Sequence, residues 1–99
     1  MQRPIGILGT GQVVGAFKHV YWAVLDQPIF GGETGDVLVV GDDEKAKAEV
    51  FAMFERAPFR LLNAGPLINA RAIERITMIT GALGRSLGTY PRLNWRLLG

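Results

Sequence analysis

The fold is decided by residues 7–20, which read ILGTGQVVGAFKHV. The first half predicts a turn after a strand, because Gly9 and Gly11 permit a tight bend in which backbone amides can approach a phosphate. The second half begins with the β-branched pair Val13-Val14, which is typical of a strand. Residues 12–25 also fit helical spacing, which would give a minimal Rossmann-like domain. The residues alone therefore leave two interpretations of this half open, a second strand after the turn and, as the alternative, a helix.

The glycine turn matches a dinucleotide-binding fingerprint only in part. The third glycine of that fingerprint should stand at position 14, where the chain has valine, and Gly15 comes one residue late. An acidic residue is expected roughly 20 positions further on, at the end of the second strand. The nearest such acid is Asp42. The spacing therefore leaves two interpretations open, a nucleotide site and a plain glycine turn.

Composition indicates one packed domain over residues 1–99. Hydrophobic residues make up 48% of the chain, and cysteine is absent, so disulfides and thiolate sites are excluded. A net charge of +2 is too small to favour nucleic acid. No apolar run approaches the roughly 20 residues that a membrane span needs, and no signal-peptide pattern opens the chain. We expect a cytoplasmic protein without a nucleic-acid, membrane or metal partner.

Strand and helix patterns alternate along the rest of the chain. Apolar runs at 5–8, 37–40 and 59–62 predict strands, and 13–17 adds a fourth. A helix should begin with Asp42 as its N-cap and end at Pro58. The fold class is therefore α/β, a small and mostly parallel sheet of about four strands with helices, as in a truncated Rossmann-like domain ending in a long helix.

That last helix is predicted to run from Pro66 to about Leu83, followed by an irregular segment. Its apolar residues form a broad surface that implies burial on two sides. The central stripe of this surface consists of Ile68, Ala72, Ile76, Ile79 and Leu83.

The single histidine, His19, is a candidate for acid–base chemistry or for a hydrogen bond to a cofactor. A lone histidine after an apolar run can equally be satisfied by a backbone group. The adjacent carboxylates Asp42 and Asp43 are interpreted as helix caps rather than metal ligands. No serine or cysteine stands near the histidine in sequence, so nucleophilic catalysis has no support.

Four blocks in this order, residues 13–20, 36–43, 63–71 and 73–77, resemble the C-terminal half of the NADPH-dependent F-420 reductases, or F-420:NADP oxidoreductases. In that family the segment adds strands to a Rossmann sheet and helps to bind the deazaflavin coenzyme, which exchanges a hydride with NADP. The resemblance implies F-420 and NADP(H) as cofactors. It divides the chain into a Rossmann-like first strand and turn (1–12), a reductase-like part (13–87) and a tail (88–99).

The resemblance also suggests which residues bind cofactor. Lys18 and His19 fall where the family has a His-His, His-Thr or Asn-Thr pair beside the deazaflavin, so Lys18 departs from the pattern. Thr77 matches a threonine that faces the same pocket. No catalytic residue is assigned. The candidate cofactor-binding residues are Gly9, Thr10, Gly11, Gln12, Lys18, His19 and Thr77.

Family members are considerably longer and carry most of a nucleotide-binding unit. The resemblance thus implies an F-420:NADP oxidoreductase-like chain that is truncated and weak or inactive alone in hydride transfer. The alternative is a non-catalytic binding or dimerisation module derived from that family. A small sheet with a bare edge and a broad apolar helix surface implies a homodimer or element-swapped oligomer in either case.

Overall fold

The structure, a computed structural model, describes residues 5–8 and 12–99. A short 3₁₀ helix, Leu67–Asn69, leads into the last α-helix. The other elements are, in chain order, β1 (Ile5–Leu8), β2 (Gln12–Gly15), α1 (Trp22–Asp26), β3 (Ile29–Phe30), β4 (Glu33–Thr34), β5 (Asp36–Gly41), α2 (Glu44–Met53), β6 (Arg60–Asn63) and α3 (Ala70–Leu87).

The main sheet has the strand order β1-β2-β5-β6 and is mixed, while β3 and β4 form a separate two-stranded ribbon. β1 and β2 pair antiparallel, as do β2 and β5, and only β5 and β6 run parallel. The prediction of a mostly parallel sheet is therefore wrong for the described strands. Residues 9–11 alone join β1 to β2, too few for the crossover that a parallel pair needs, whereas β5 reaches β6 through α2.

The alternative of a helix over residues 12–25 is also wrong. Residues 12–15 form β2, with Gln12 opposite Leu8, and a helix begins only at Trp22. The predicted phosphate-binding residues Gly9, Thr10 and Gly11 lie outside the described residues, so their role stays a prediction.

One face of the sheet carries the hydrophobic core, which α2 covers. Phe17 is its largest buried residue, and its ring centroid lies 5.0 Å from that of Phe54 and 5.6 Å from that of Phe59. The buried cluster consists of Val14, Ala16, Phe17, Val20, Val24, Val37, Val39, Ala46 and Val50. β5 is buried along nearly its whole length, as its continuous β-branched run predicts.

α2 begins and ends differently from the prediction. Asp43, not Asp42, is the N-cap, since its Oδ1 accepts a hydrogen bond from the Lys45 amide at 2.9 Å. Asp42 instead accepts a hydrogen bond from the Leu67 amide at 3.0 Å, which ties the start of the 3₁₀ helix to the end of β5. The helix ends at Met53, before the predicted stop at Pro58.

α3 buries only part of the broad apolar surface that its hydrophobic pattern predicts. Its fully buried residues are Ile73, Thr80, Gly81 and Gly84. A Cβ at Gly84 would lie 3.0 Å from the Cβ of Tyr90, so the glycine allows the tail to pack against the helix. The predicted stripe faces outward in the single chain, with Ile68 61% and Ile79 57% exposed, Leu83 also exposed and Ile76 half-buried.

Candidate functional site

His19 lies in a turn directly after β2 and is only 2% exposed. Its Nε2 accepts a hydrogen bond from the Leu38 amide at 3.0 Å. In the neutral imidazole the proton then stands on Nδ1, and Nδ1 has no hydrogen-bond partner among the described residues. Buried polar groups are nearly always paired. His19 therefore carries a buried, preorganised imidazole whose Nδ1–H is bonded to no other described residue.

Two local features of the chain set the position of His19. Gly15 lets the Lys18 side chain cross the sheet, because a Cβ there would lie 3.1 Å from Cγ2 of Val40 and 3.3 Å from Cδ of Lys18. Phe17 turns the chain with a φ of 61°, which a non-glycine residue adopts only at an energetic cost. Its anchored ring holds that conformation in place.

A cavity of about 360 Å³ adjoins His19 on the sheet face opposite α2. Its walls come from the sheet, from α3 and from the C-terminal segment, and they are almost wholly apolar. Its size lies near the lower end of the roughly 300–1,000 Å³ typical of small-molecule sites. The lining residues are His19, Asp36, Leu38, Leu62, Ile76, Ile79, Trp95, Arg96 and Leu97.

Asp36 anchors the C-terminal segment that forms one wall. Its buried carboxylate accepts hydrogen bonds from Arg60 at 2.7 Å and 2.8 Å and from the Leu97 amide at 2.6 Å. Its own amide donates to the Trp95 carbonyl at 2.8 Å. Residues 88–99 contain no regular element, as predicted, but this segment is bound to the start of β5 at several points.

The electrostatics of Asp36 follow from these contacts. Burial alone would raise the pKa of its carboxyl group. The hydrogen bonds from Arg60 and the Leu97 amide, together with the charges of Arg60 and Arg96, outweigh that effect and hold the pKa of Asp36 below its usual value of 3.8. The carboxylate therefore stays ionised and keeps the segment docked at neutral pH.

Of the described residues predicted to bind cofactor, only His19 lines the cavity. Nζ of Lys18 forms an ion pair with Oε1 of Glu74 at 3.4 Å. The Thr77 hydroxyl lies 3.3 Å from the Lys18 carbonyl and 3.2 Å from that of Ile73. Lys18 and Thr77 thus lie together next to His19, and their polar atoms bind other parts of the protein, so their cofactor-binding role stays a prediction. Gln12 lies on β2, and its binding role stays a prediction.

Sequence reasoning missed Leu38, Asp36 and Trp95 as parts of this site. Leu38 and Asp36 belong to a strand whose pattern indicates burial but not the identity of its neighbours. Trp95 stands in a segment without periodicity, so no local pattern indicates where its ring packs. One available signal was that large aromatic side chains in irregular segments usually pack against something.

A second buried polar cluster lies at the carboxyl ends of β5 and β6. Lys47 is almost fully buried, and its ammonium group contacts Oδ1 of Asn63 at 2.9 Å, the Gly65 carbonyl at 3.2 Å and Oε2 of Glu44 at 2.7 Å. An ammonium group has three hydrogens, and all three have acceptors here. This cluster therefore closes the end of the sheet and offers no free group to a ligand.

We predict that His19 makes stability depend on pH. Burial lowers its pKa from the usual 6.5 to about 4, against opposing effects of the Asp36 carboxylate and of the histidine's own backbone. Between these pH values the unfolded chain binds a proton that the folded chain excludes, so the unfolding free energy should fall as pH drops from 6.5 to 4, by up to about 3 kcal/mol. Urea unfolding at a series of pH values should show this slope.

The His19→Gln variant is the control for that slope. Gln can still accept the Leu38 hydrogen bond but does not titrate, so its stability should be flat over the same pH range. An equal slope in both proteins would contradict the assignment to His19.

The described residues contain no group of three or more His, Asp or Glu side chains that could hold a metal ion. Across residues 5–8 and 12–99, no helix combines the length and apolar character needed to cross a lipid bilayer.

Comparison with known proteins gives a fold relative. No family model matches the chain, and no curated protein matches it. Its structure is similar to the crystal structure of a protein from Arthrobacter sp. FB24 that is provisionally assigned as an F420-dependent NADP-reductase, with a TM-score of 0.77 and 24% sequence identity. The similarity covers 90% of this chain but 41% of the Arthrobacter protein. The chain therefore shares the fold of part of the Arthrobacter protein.

Proposed function

We propose that this chain binds the deazaflavin coenzyme F-420 as part of an F-420:NADP oxidoreductase-like activity, hydride transfer between NADP(H) and F-420. The observation that carries the proposal is the unpaired, buried Nδ1–H of His19 at the wall of an apolar cavity. The fold relative supports it, because that protein's provisional assignment is as an F420-dependent NADP-reductase.

The residues of the cavity fit the ring of a deazaflavin. The ring system is flat and largely apolar, and its pyrimidinedione edge carries carbonyl oxygens and one ring nitrogen that accept hydrogen bonds, beside an imide N–H that donates one. Leu38 and Leu62 offer apolar walls, and His19 offers a donor for that edge. A volume of about 360 Å³ suits a ring system rather than the complete coenzyme. When bound, the deazaflavin supplies the hydride chemistry, while the protein binds and orients it.

For this role His19 acts as a neutral hydrogen-bond donor. A pKa of about 4 keeps its imidazole uncharged near neutral pH. The Leu38 amide fixes the tautomer by bonding to Nε2, so Nδ1 keeps its proton. The NADP(H) part of the proposal depends on Gly9, Thr10, Gly11 and Gln12, by resemblance. We infer that hydride transfer by the isolated chain is weak or absent.

A titration with F-420 tests the proposal through the fluorescence polarisation of the coenzyme. We expect saturable micromolar binding of F-420, and of NADPH in a parallel titration. His19→Gln should weaken F-420 binding about tenfold, since a hydrogen bond in a buried site is worth roughly 1.4 kcal/mol. Circular dichroism of the variant establishes that it is folded. Affinities no tighter than millimolar for both coenzymes would overturn the proposal.

His19→Asn is the matched comparison, because the shorter amide lies near the position of Nδ1 and no longer reaches the Leu38 amide. It should keep a donor for the ligand and lose thermal stability instead. If F-420 binds more weakly to His19→Gln but not to His19→Asn, the loss of affinity comes from the missing Nδ1 donor and not from a general loss of structure.

A second candidate is a non-catalytic dimerisation module, which the exposed apolar stripe along the 3₁₀ helix and α3 favours. Ile68, Ile79 and Leu83 are all exposed in the single chain, and such surfaces mark interaction sites. We propose a homodimer in which two stripes pack together. Light scattering of the purified protein should give the mass of a dimer, and Ile68→Glu should give a monomer, whereas Met78→Glu, on another side of α3, should not. A monodisperse wild-type monomer would overturn this candidate.

A further inference from the structure

Trp95 forms an aromatic wall of the cavity, and several hydrogen bonds hold it in place. Its indole Nε1–H donates to Oγ1 of Thr80 at 2.7 Å, and Thr80, only 1% exposed, donates in turn to the Ile76 carbonyl at 2.7 Å. The Trp95 carbonyl accepts from the Asp36 amide at 2.8 Å. With both its indole N–H and its backbone bonded, the ring has little freedom to turn.

The held indole still has surface to offer a ligand. Trp95 is 45% exposed although its N–H is satisfied, so its available surface is mainly the aromatic ring itself. Flat aromatic ligands stack on such rings, and a ring that is already fixed loses little entropy when it binds. Leu38 and Leu62 line the same cavity and give it apolar sides.

His19 and the aromatic ring of Trp95 line the same cavity, and together they define the chemical class of ligand. The Nδ1–H of His19 requires a hydrogen-bond acceptor, and the apolar walls exclude a charged or strongly hydrated body. A flat fused heteroaromatic ring with a carbonyl or ring-nitrogen acceptor at its edge satisfies both conditions. An aliphatic chain would leave the histidine proton unpaired.

We propose that Trp95 is the stacking platform of this cavity, on which a fused heteroaromatic ring lies while its edge accepts the hydrogen bond of His19. For F-420 as the ligand this inference rests on the proposed function, but the ring-binding role itself does not require it. Trp95 is a positioning residue in this scheme. Thr80 sets the orientation of its indole ring.

The test uses F-420 and lumichrome, a three-ring pyrimidinedione without the coenzyme's side chain, with binding followed by fluorescence polarisation of each ligand. Trp95→Leu should weaken the binding of both about fivefold or more, in line with the usual worth of aromatic stacking. Trp95→Phe should lose less affinity for the two ligands. The matched control is Trp22→Leu, since Trp22 is the other tryptophan, is exposed and does not line the cavity.

A spectroscopic readout separates stacking from a structural role. In the NMR spectrum the indole N–H signal of Trp95 should shift when lumichrome binds, while that of Trp22 stays in place. Should Trp95→Leu fail to fold, Trp95→Phe together with this shift still tests the proposal.

The outcomes distinguish the two proposals. If F-420 binds, its binding responds to His19→Gln, and neither Trp95 variant nor the indole signal responds, Trp95 is not the platform and the proposed function stands. If lumichrome binding depends on Trp95 while F-420 does not bind, the platform stands and the proposed function fails. If neither ligand shows saturable binding, both are overturned.

Discussion

Replacing Phe17 by alanine is expected to lower the unfolding free energy by about 3–5 kcal/mol, the usual cost of removing a buried aromatic ring. Phe17 is 7% exposed and lies against Phe54 and Phe59 with centroid distances of 5.0 Å and 5.6 Å. The substitution would leave a cavity between the sheet and α2. Its left-handed φ of 61° gives no compensating gain, because alanine must adopt the same unfavourable conformation.

Denaturant unfolding measures this effect through the midpoint at an unchanged m-value. Phe17→Leu should cost less, because leucine fills more of the space. The matched control is Phe51→Ala, since Phe51 is only partly buried and packs at the edge of the same cluster. A loss at Phe17 no larger than that at Phe51 would show that the ring does not anchor the turn before His19.

Strand positions were readable from the sequence because apolar, β-branched runs have few other stable arrangements. β1 coincides with the predicted residues 5–8, and the run at 37–40 lies within β5. The antiparallel direction of β1 and β2 was not predicted, although the sequence contains a signal for it. Two short apolar runs separated by a glycine-containing connection of three residues are typical of a hairpin. The alternating helices later in the chain favoured the wrong, mostly parallel sheet.

The hydrophobic periodicity of α3 could not predict which side of the helix packs against the rest of the protein. Its pattern has an apolar stripe, but the helix buries Gly84, where the tail packs closely, and Gly81, which lies against the Tyr21 hydroxyl. A stripe of large apolar residues predicts burial only if some surface covers it. Here the surface comes from the tail, and it covers the side with the small residues instead.

Only one residue of the candidate site could be predicted from the sequence. His19 was a candidate because it is the single histidine, and the structure adds that it is buried beside the cavity. The rest of the cavity depends on contacts between distant parts of the chain, such as the bond from the Leu97 amide to Asp36. Nothing local to residues 88–99 indicates that contact, so Trp95 and its neighbours became candidates only in the folded structure.

Asp36→Asn is expected to cost about 2–3 kcal/mol in unfolding free energy and to release the C-terminal wall of the cavity. The carboxylate is 3% exposed and accepts hydrogen bonds from Arg60 and from the Leu97 amide. Hydrogen bonds to a charged group are worth roughly 1.5–3 kcal/mol, and asparagine has only one acceptor oxygen to offer. The expected loss of unfolding free energy is smaller than for a fully buried ion pair, because 37% of the Arg60 side chain is exposed and can be hydrated.

The same substitution should change how the unfolding free energy depends on pH in acid solution. The pKa of Asp36 is lowered on folding, so its contribution is complete above the usual value of 3.8 and is lost as pH falls through the lower, folded-state pKa. The wild-type protein should therefore lose stability below about pH 4, and Asp36→Asn should lose less there. This window lies below the one from pH 6.5 to 4 that belongs to His19, so the two variants separate the contributions.

Hydrogen exchange shows whether the wall itself is released. In Asp36→Asn the Leu97 amide and the Trp95 indole N–H should exchange faster, while amides in α2, on the other side of the sheet, should change only by the global loss of stability. The control is Asp26→Asn, which removes an exposed carboxylate and should leave the exchange of these two protons unchanged. Equal effects of the two substitutions would mean that Asp36 does not hold the segment. The C-terminal wall would then be held by the bonds that do not involve this carboxylate, which join the Asp36 amide to the Trp95 carbonyl, the Trp95 indole to Thr80 and Arg96 to the Thr34 carbonyl.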